Sequence, residues 1–177
     1  MKRFVYLAAL VLAFSLRAGA QDTPAWELSA GYSYLNANLS GPGPSFSLNG
    51  GGGSITQNVN DWFGGRVEIN AYGGSVLGTN VTAQTFTYAP VFSYRRSWRY
   101  TPFGEVQVGA IHGSQGYLGI SQSANKFAIA PGGGVDFRLN DRLGVRVQAH
   151  YLMSRFLSLR QDNIQVSTGL VFYIGRK

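Results

Sequence analysis

Residues 163–174 of the chain read NIQVSTGLVFYI and alternate apolar with small or polar side chains almost without a break. Successive side chains of a β-strand point to opposite faces, so this stretch predicts a strand with two unlike faces. One predicted face is apolar and carries Ile164, Val166, Thr168, Leu170, Phe172 and Ile174. The other is mostly polar or small and carries Gln165, Ser167, Gly169, Val171 and Tyr173. The apolar face has to meet either a protein core or lipid.

The N-terminus predicts a cleaved secretory signal peptide over residues 1–20. Lys2 and Arg3 supply the basic start, residues 4–16 the apolar stretch, and residues 18–20 the small-residue cleavage site. The alternative is a membrane-spanning helix, but that needs about 20 apolar residues, more than this stretch contains. An amphipathic strand near the C-terminus, behind such a signal, indicates a barrel with lipid outside it.

The rest of the chain, residues 21–177, is predicted to form one domain. It contains no cysteine, which excludes a disulfide framework and a lipid-modified cysteine behind the signal. The formal charge of +7 includes Lys2, Arg3 and Arg17 of the signal, which leaves +4 for the predicted mature chain. So mild a charge on an exported chain gives no reason to expect a nucleic-acid partner.

Alternation with period two recurs along the chain, and we count eight strand-like runs in all. Five more runs are clean; they start near Trp26, Phe63, Glu105, Lys126 and Leu143. Two weaker runs lie at about residues 46–59 and 81–94. Pro90 and Pro131 fall inside runs, and because proline lacks an N–H, they predict bulges or irregular pairing.

The connectors between the runs alternate in length. Short polar turns are predicted at residues 58–61, 95–100 and 140–142. Long segments rich in Gly, Ser, Asn or Pro are predicted to form loops at residues 36–45, 73–80, 112–125 and 153–162. Short turns at one end and long loops at the other are typical of an up-and-down barrel of the bacterial outer membrane. Each strand then has the roughly 10 residues that a tilted transmembrane strand needs.

A secreted soluble β-sandwich or small barrel is the competing interpretation, because an apolar face serves a protein core as well as lipid. Greek-key sandwiches mix long and short connectors, however, and here the two kinds alternate. Aromatic residues also fall at the predicted strand ends, as in the interfacial girdles of membrane barrels. The predicted girdle at the short-turn end includes Trp26, Trp62, Trp98, Tyr100 and Phe103, and Tyr72 is assigned to the loop end.

An open sheet edge finds no water in lipid, so the first strand must pair with the last. The first and last runs both end at the short-turn side, as closure requires, and we expect both termini in the periplasm. The predicted fold is therefore all-β, an eight-stranded antiparallel up-and-down transmembrane β-barrel.

Three motifs carry a resemblance to a known family: WELSAGYSY at residues 26–34, NDWFG at residues 60–64 and TPFG at residues 101–104. Over residues 24–177 the chain resembles the eight-stranded outer-membrane β-barrel family, which is OmpA/OmpX-like and part of the porin superfamily. The resemblance implies a free barrel in the bacterial outer membrane, among outer-membrane lipids and without a peptidoglycan-binding domain.

The resemblance also implies an assembly signal in the last strand. Ser167, Gly169, Phe172 and Ile174 look like the polar–x–Gly–x–x–aromatic–x–hydrophobic signal that the barrel assembly machinery reads in this family. The chain departs from the family pattern by ending in Gly-Arg-Lys, residues 175–177, rather than on an aromatic residue.

Charged and polar residues recur on the predicted interior face. Those expected to form an interior polar network are Glu27, Arg66, Glu68, Glu105, Asp136, Arg138, Arg146 and His150. Side chains fill an eight-stranded barrel, and a buried charge without a partner costs several kcal/mol. We therefore expect these residues to form a plug of salt bridges and hydrogen bonds. The alternative is a gated ion path lined by the same charges.

No arrangement in the sequence predicts a catalytic residue, a cofactor or a metal site. The chain has two histidines, His112 and His150, and no spacing singles out a serine nucleophile beside either. The predicted function is that of a small non-enzymatic outer-membrane barrel with a structural or interaction role. A narrow channel for ions or small solutes is the first alternative, and a lipid-modifying or proteolytic barrel enzyme is the second.

Two basic segments suggest contacts outside the barrel. The turn at residues 95–100 contains Arg95, Arg96 and Arg99 beside aromatic residues, and we expect it to contact phospholipid headgroups on the periplasmic side. The segment at residues 153–160 is expected to meet lipopolysaccharide or an extracellular partner that the sequence does not identify.

Overall fold

A computed structural model of the chain describes residues 23–37, 46–76, 79–117, 120–156 and 159–176. The predicted signal peptide at residues 1–20 lies outside this part. The strands are β1 (Pro24–Ala37), β2 (Phe46–Asn58), β3 (Phe63–Val76), β4 (Thr79–Ser93), β5 (Tyr100–Tyr117), β6 (Ile120–Arg138), β7 (Leu143–Phe156) and β8 (Leu159–Arg176). No helix long and apolar enough to cross a membrane occurs in the described residues.

The strands form one closed barrel in which each strand pairs antiparallel with its neighbours in sequence. β1 also pairs with β8, in a register that sets Gly31 opposite Gly169 and Ser33 opposite Ser167. The side chains of Ser33 and Ser167 share a hydrogen bond of 2.7 Å across this seam. The predicted fold and the closure of the first strand on the last are confirmed.

The two faces of each strand differ in burial as the alternation predicts. On β8, Leu170 and Phe172 point outward and are 45% and 47% exposed, whereas Gln165 points inward and is 2% exposed. The other strands follow the same rule, with polar side chains such as Glu27 and Arg66 inside and apolar side chains outside. This is the opposite of the arrangement in a water-soluble barrel. An apolar outer surface of this extent is stable only where lipid covers it.

The short turns lie close to the predicted positions and cross the end of the barrel at residues 59–62, 94–99 and 139–142. The first and third are built alike. The Asn60 side-chain oxygen accepts hydrogen bonds from the Trp62 and Phe63 amides. The Asn140 side-chain oxygen does the same for the two residues at the equivalent positions. In such an Asx turn the asparagine side chain accepts hydrogen bonds from backbone amides of the turn itself. The turn therefore needs no additional residues, and the connector can be short.

The predicted long loops at residues 73–80, 112–125 and 153–162 are mostly strand, and that prediction was wrong. β5 continues to Tyr117 and β6 begins at Ile120, and the hairpins β3–β4 and β7–β8 extend in the same way. Backbone pairing satisfies the N–H and C=O groups whatever the side chains are, so a composition rich in Gly, Ser and Asn did not interrupt the ladder. Residues 38–45 of the fourth predicted loop lie outside the described part.

The two interior prolines interrupt pairing without adding a bulge. Pro90 lies in a two-residue gap of the β4–β5 ladder, and Pro131 lies in a similar gap between β6 and β7. The register is the same on both sides of each gap, so no residue is inserted. Irregular pairing is confirmed, and the bulges are absent from these ladders.

Aromatic side chains ring the outside of the barrel at the short-turn end. Trp26, Trp62, Trp98 and Tyr100 are all exposed there. Two other aromatics assigned to the girdles were misplaced, because they fall on the inward-facing parity of their strands. Tyr72 is buried and shares a hydrogen bond of 2.9 Å with Ser33, and Phe103 is buried among arginines.

Candidate functional site

Seven of the eight residues predicted for the interior network are buried inside the barrel. They are Glu27, Arg66, Glu68, Glu105, Asp136, Arg146 and His150. They lie on β1, β3, β5, β6 and β7, and each sits on the inward parity of its strand. The closed register therefore concentrates four carboxylates, two guanidinium groups and an imidazole in the lumen.

One group of charges centres on Arg146. Its Nε and Nη2 donate to the two carboxylate oxygens of Asp136 at 2.6 and 2.7 Å, and Nη2 also donates to Glu27 at 2.7 Å. Glu27 accepts a further hydrogen bond of 2.9 Å from the Asn58 amide. Charge-assisted, two-point contacts of this kind hold a guanidinium in one orientation. Arg146 therefore ties β7 to β6 and, past β8, to β1.

Arg95 closes this group from the short-turn end. Although it belongs to the turn between β4 and β5, its Nη2 donates to Glu27 at 2.5 Å and its Nη1 to the Asp61 carbonyl at 3.2 Å. The side chain of Arg95 is only 9% exposed. The expectation that Arg95 contacts lipid headgroups was therefore wrong: a carboxylate at the mouth of the lumen draws this guanidinium inward.

A second group centres on Glu105. Arg66 donates to Glu105 at 2.8 Å through Nη1 and to the Thr56 hydroxyl at 2.9 Å through Nε. The Nε2 atom of His150 lies 2.7 Å from the other Glu105 oxygen, and the Gln107 amide donates to that oxygen at 3.2 Å. Both oxygens of this fully buried carboxylate thus have partners, as burial of a charge requires.

Phe103 stands between the two groups. The guanidinium carbon of Arg66 lies 4.6 Å from the centre of its ring, and that of Arg146 lies 5.0 Å away. The negative face of an aromatic ring attracts a cation, and the effect is larger where water is absent. A single buried ring thus contacts both interior arginines.

Glu68 differs from the other interior carboxylates because, within the described residues, side-chain amides donate the hydrogen bonds to its carboxylate. Asn70 donates to it at 2.8 Å, Gln148 at 3.0 Å and Gln165 at 3.4 Å. Gln148 lies on β7, diametrically opposite β3 in an eight-stranded barrel, and its oxygen also accepts from Arg66 at 3.4 Å. The hydrogen bonds of Gln148 with Glu68 and Arg66 therefore cross the lumen from β7 to β3.

Residues of these groups also line a small cavity. A cavity of about 30 Å³ is lined by residues that include Glu68, Arg146 and Gln148. This is room for roughly two water molecules. Within the described residues no group of three or more histidine and acidic side chains is placed to hold a metal ion.

Arg138 was predicted for this network and lies apart from it. Arg138 is half-buried at the short-turn end, with its guanidinium 4.7 Å from the centre of the Tyr173 ring. His112 is exposed on the outer face of β5, whereas His150 is buried inside. The barrel wall therefore separates the two histidines, and they do not share a site.

Several polar members of the network were absent from the predicted set. They are Thr56, Asn58, Asn70 and Gln107. Parity along each strand marked all of them, because each alternates with outward-facing residues. Most residues of the predicted set are charged, and neutral amides provide many of the links between those charges.

The residues of the predicted assembly signal lie along β8 at its seam with β1. Ser167 and Gly169 face the lumen side, where Gly169 is opposite Gly31. Phe172 and Ile174 point outward and are about half exposed. Whether the assembly machinery reads them stays a prediction.

Comparison with known proteins settles the family. The family model described as "Outer membrane protein beta-barrel domain" matches residues 6–172. The chain belongs to the outer membrane protein β-barrel family. No curated protein sequence matches the chain.

Solved structures of bacterial outer-membrane barrels resemble the family member described here. Neisserial surface protein A is 12% identical, with a TM-score of 0.74, over 85% of this chain and 97% of that one. Ail, the attachment invasion locus protein of Yersinia pestis, is 16% identical, with a TM-score of 0.61, over 85% and 100%. OprG of Pseudomonas aeruginosa is 11% identical, with a TM-score of 0.57, over 88% and 98%. At these identities the likeness shows a common fold.

Proposed function

We propose that this protein is a closed outer-membrane barrel that conducts no solute and acts through its structure or through contacts made outside the membrane. The observation that carries the first half is the wall-to-wall chain of Glu68, Gln148 and Arg66. With the salt bridges of Arg66 and Arg146 on either side of Phe103, it fills the lumen. An ion would have to displace these contacts to pass.

The energetic reason for a closed lumen is the cost of separating buried charges. Breaking a buried ion pair by removing one partner costs about 3–5 kcal/mol, and at least two such pairs block the path. Arg95 adds a third contact across the mouth at the short-turn end. A conducting path would have to disrupt all three contacts together.

The interaction role rests on the length of the hairpins at the other end. β5 and β6 have 18 and 19 residues, although about 10 suffice to cross the hydrocarbon. The outer face of β5 and of its neighbour β4 becomes polar toward this end, where His112 and its partner Gln84 are exposed. We infer that these hairpins project from the outer surface, with the short turns and both termini in the periplasm. Ail, which shares this fold, is named as an attachment invasion locus protein, and this supports a role of this kind.

Single-channel recording tests the proposed closed state. The chain without residues 1–20, refolded and inserted into a planar bilayer, is expected to give no current steps, while a general porin in the same bilayer does. Heat-modifiable mobility in a detergent gel shows that the inserted protein is folded. Steps that change in size when Glu68 is replaced by Gln would instead establish a narrow channel.

A further inference from the structure

Four arginines lie together at the short-turn end, outside the plug. They are Arg96, Arg99, Arg138 and Arg142, and we name them the arginine rim. Arg96, Arg99 and Arg142 are exposed, and Arg138 is half-buried. Asp61 and Asp141 are the acidic residues of the three short turns, so this end of the barrel is positively charged.

Main-chain hydrogen bonds tie the backbone of the rim to neighbouring parts of the barrel. The Arg138 amide at the end of β6 donates to the Arg99 carbonyl in the β4–β5 turn at 2.8 Å. The Arg142 carbonyl, in the β6–β7 turn, accepts from the Tyr173 amide of β8 at 2.9 Å. These bonds fix the backbone that carries the arginines, so the spacing of the rim is set by the barrel.

Aromatic rings place the rim at the depth of the lipid headgroups. The Arg96 guanidinium lies 5.8 Å from the centre of the Tyr94 ring, and that of Arg99 lies 5.2 Å from the Trp98 ring. Both rings are well exposed, at 57% and 61%. Exposed Trp and Tyr side chains of membrane barrels settle at the boundary between hydrocarbon and headgroups.

The charges of Arg99 and Arg142 are available to a partner. Arg95, in the same turn, is held by Glu27, whereas neither Arg99 nor Arg142 forms a salt bridge with any residue in the described part of the chain. A guanidinium offers paired donors whose geometry matches phosphate oxygens. An anion that approaches this end therefore meets exposed donors on a rigid frame.

The neighbouring apolar side chains distinguish a lipid from a soluble anion. Val59 and Leu139 belong to the same set of short turns as Trp62 and Trp98 and are 60% and 58% exposed. A free phosphate ion has no apolar part that could cover these side chains. A phospholipid satisfies both parts, because its phosphate meets the arginines and its acyl chains cover the apolar residues.

We propose that the arginine rim binds the phosphate of anionic phospholipids in the leaflet at the short-turn end, as a selective site and not as general membrane contact. This goes beyond the proposed function, since it names a partner at the opposite end from the projecting hairpins. Each arginine near an anionic membrane surface contributes about fivefold in association. Loss of two of them is expected to lower selectivity for an anionic lipid at least about fivefold.

Electron spin resonance with spin-labelled lipids tests the proposal. The chain without residues 1–20 is reconstituted in phosphatidylcholine, and the immobilised fraction of labelled phosphatidylglycerol is compared with that of labelled phosphatidylcholine. The test variant is Arg99→Gln/Arg142→Gln. The control variant is Arg155→Gln/Arg160→Gln, which loses the same charge at the far end of the β7–β8 hairpin, where the two residues face each other across the ladder.

The proposal expects the unmodified barrel and the control to select phosphatidylglycerol and the Arg99/Arg142 variant to lose that preference. Equal preference in both double variants overturns it, because selectivity would then follow overall charge. Displacement of the labelled lipid by inorganic phosphate at constant ionic strength also overturns it, in favour of a free-anion site. Heat-modifiable mobility confirms that each variant is folded, and Arg99→Lys/Arg142→Lys is expected to keep most of the preference.

Discussion

Arg146 and Asp136 lie directly opposite each other on β7 and β6 and are joined by two hydrogen bonds, at 2.6 and 2.7 Å. The pair is buried, and Arg146 is shared with Glu27. Because neighbours in the ladder hold both backbones, the pair forms without any loop adjusting. The plug therefore depends on strand register: a shift of one residue would turn these charges toward lipid.

We expect Asp136→Asn to lower the free energy of unfolding by about 3 kcal/mol, since it leaves the Arg146 guanidinium with one carboxylate instead of two. Urea unfolding of the barrel in phospholipid vesicles, followed by tryptophan fluorescence, measures the change. Asp141→Asn is the control, because Asp141 is exposed in a short turn, and it should cost less than about 1 kcal/mol. Equal losses in the two variants would contradict the importance of the pair.

The same chemical change at two interior glutamates should have different costs. Glu105→Gln removes the salt bridge to Arg66 and leaves a buried guanidinium without its counter-ion, so we expect a loss of about 3–5 kcal/mol. Glu68→Gln exchanges one acceptor among amides, so we expect about 1–2 kcal/mol. Urea midpoints measured side by side decide the order, and a larger loss for Glu68→Gln would refute it.

The seam between the first and last strands should tolerate no side chain at Gly31. A Cβ atom there would overlap the Thr168 carbonyl oxygen and the Gly169 Cα, both backbone atoms of the partner strand. We expect Gly31→Ala to reduce the fraction of barrel that refolds into the compact, heat-modifiable form. Gly73→Ala is the matched control, since a Cβ at Gly73 meets no atom within 4 Å. Similar folded yields for both variants would show that the seam can widen.

A charge on the outer face should report where lipid begins. Leu170 lies in the middle of the apolar outer face of β8, and we expect Leu170→Arg to cost about 2–4 kcal/mol in a bilayer. Gln84 is also exposed on the outer face but above the apolar belt, and Gln84→Arg should cost less than about 1 kcal/mol. Equal costs would place both positions in the same solvent.

Features that depend on parity along one strand were predictable from the sequence. The inward position of Glu27 and Arg66 and the outward position of Leu170 follow from alternation alone. Closure of the barrel followed from the demand that no sheet edge be left open in lipid. These rules are local or general, so they need no knowledge of which residues meet.

Features that depend on register between strands were not predictable. Which donor reaches Glu68, or that Phe103 lies between two arginines, depends on how far each strand is shifted against its neighbour. Arg95 was misassigned because a turn residue has no parity, and only the position of Glu27 below it decides its direction. Loop composition misled for a related reason, since pairing with a partner strand extends a hairpin beyond its own propensities.

The hydrogen bond between Ser33 and Ser167 joins residues 134 positions apart in the sequence. All the other strand pairs join neighbours along the chain. The pairing of β1 with β8 therefore closes the longest loop and has the greatest cost in loop-closure entropy. Until β8 has formed, the growing sheet has two unpaired edges that lipid cannot satisfy. Folding and membrane insertion must therefore be completed in one event, and a chain that lacks its last strand has no stable place in the bilayer.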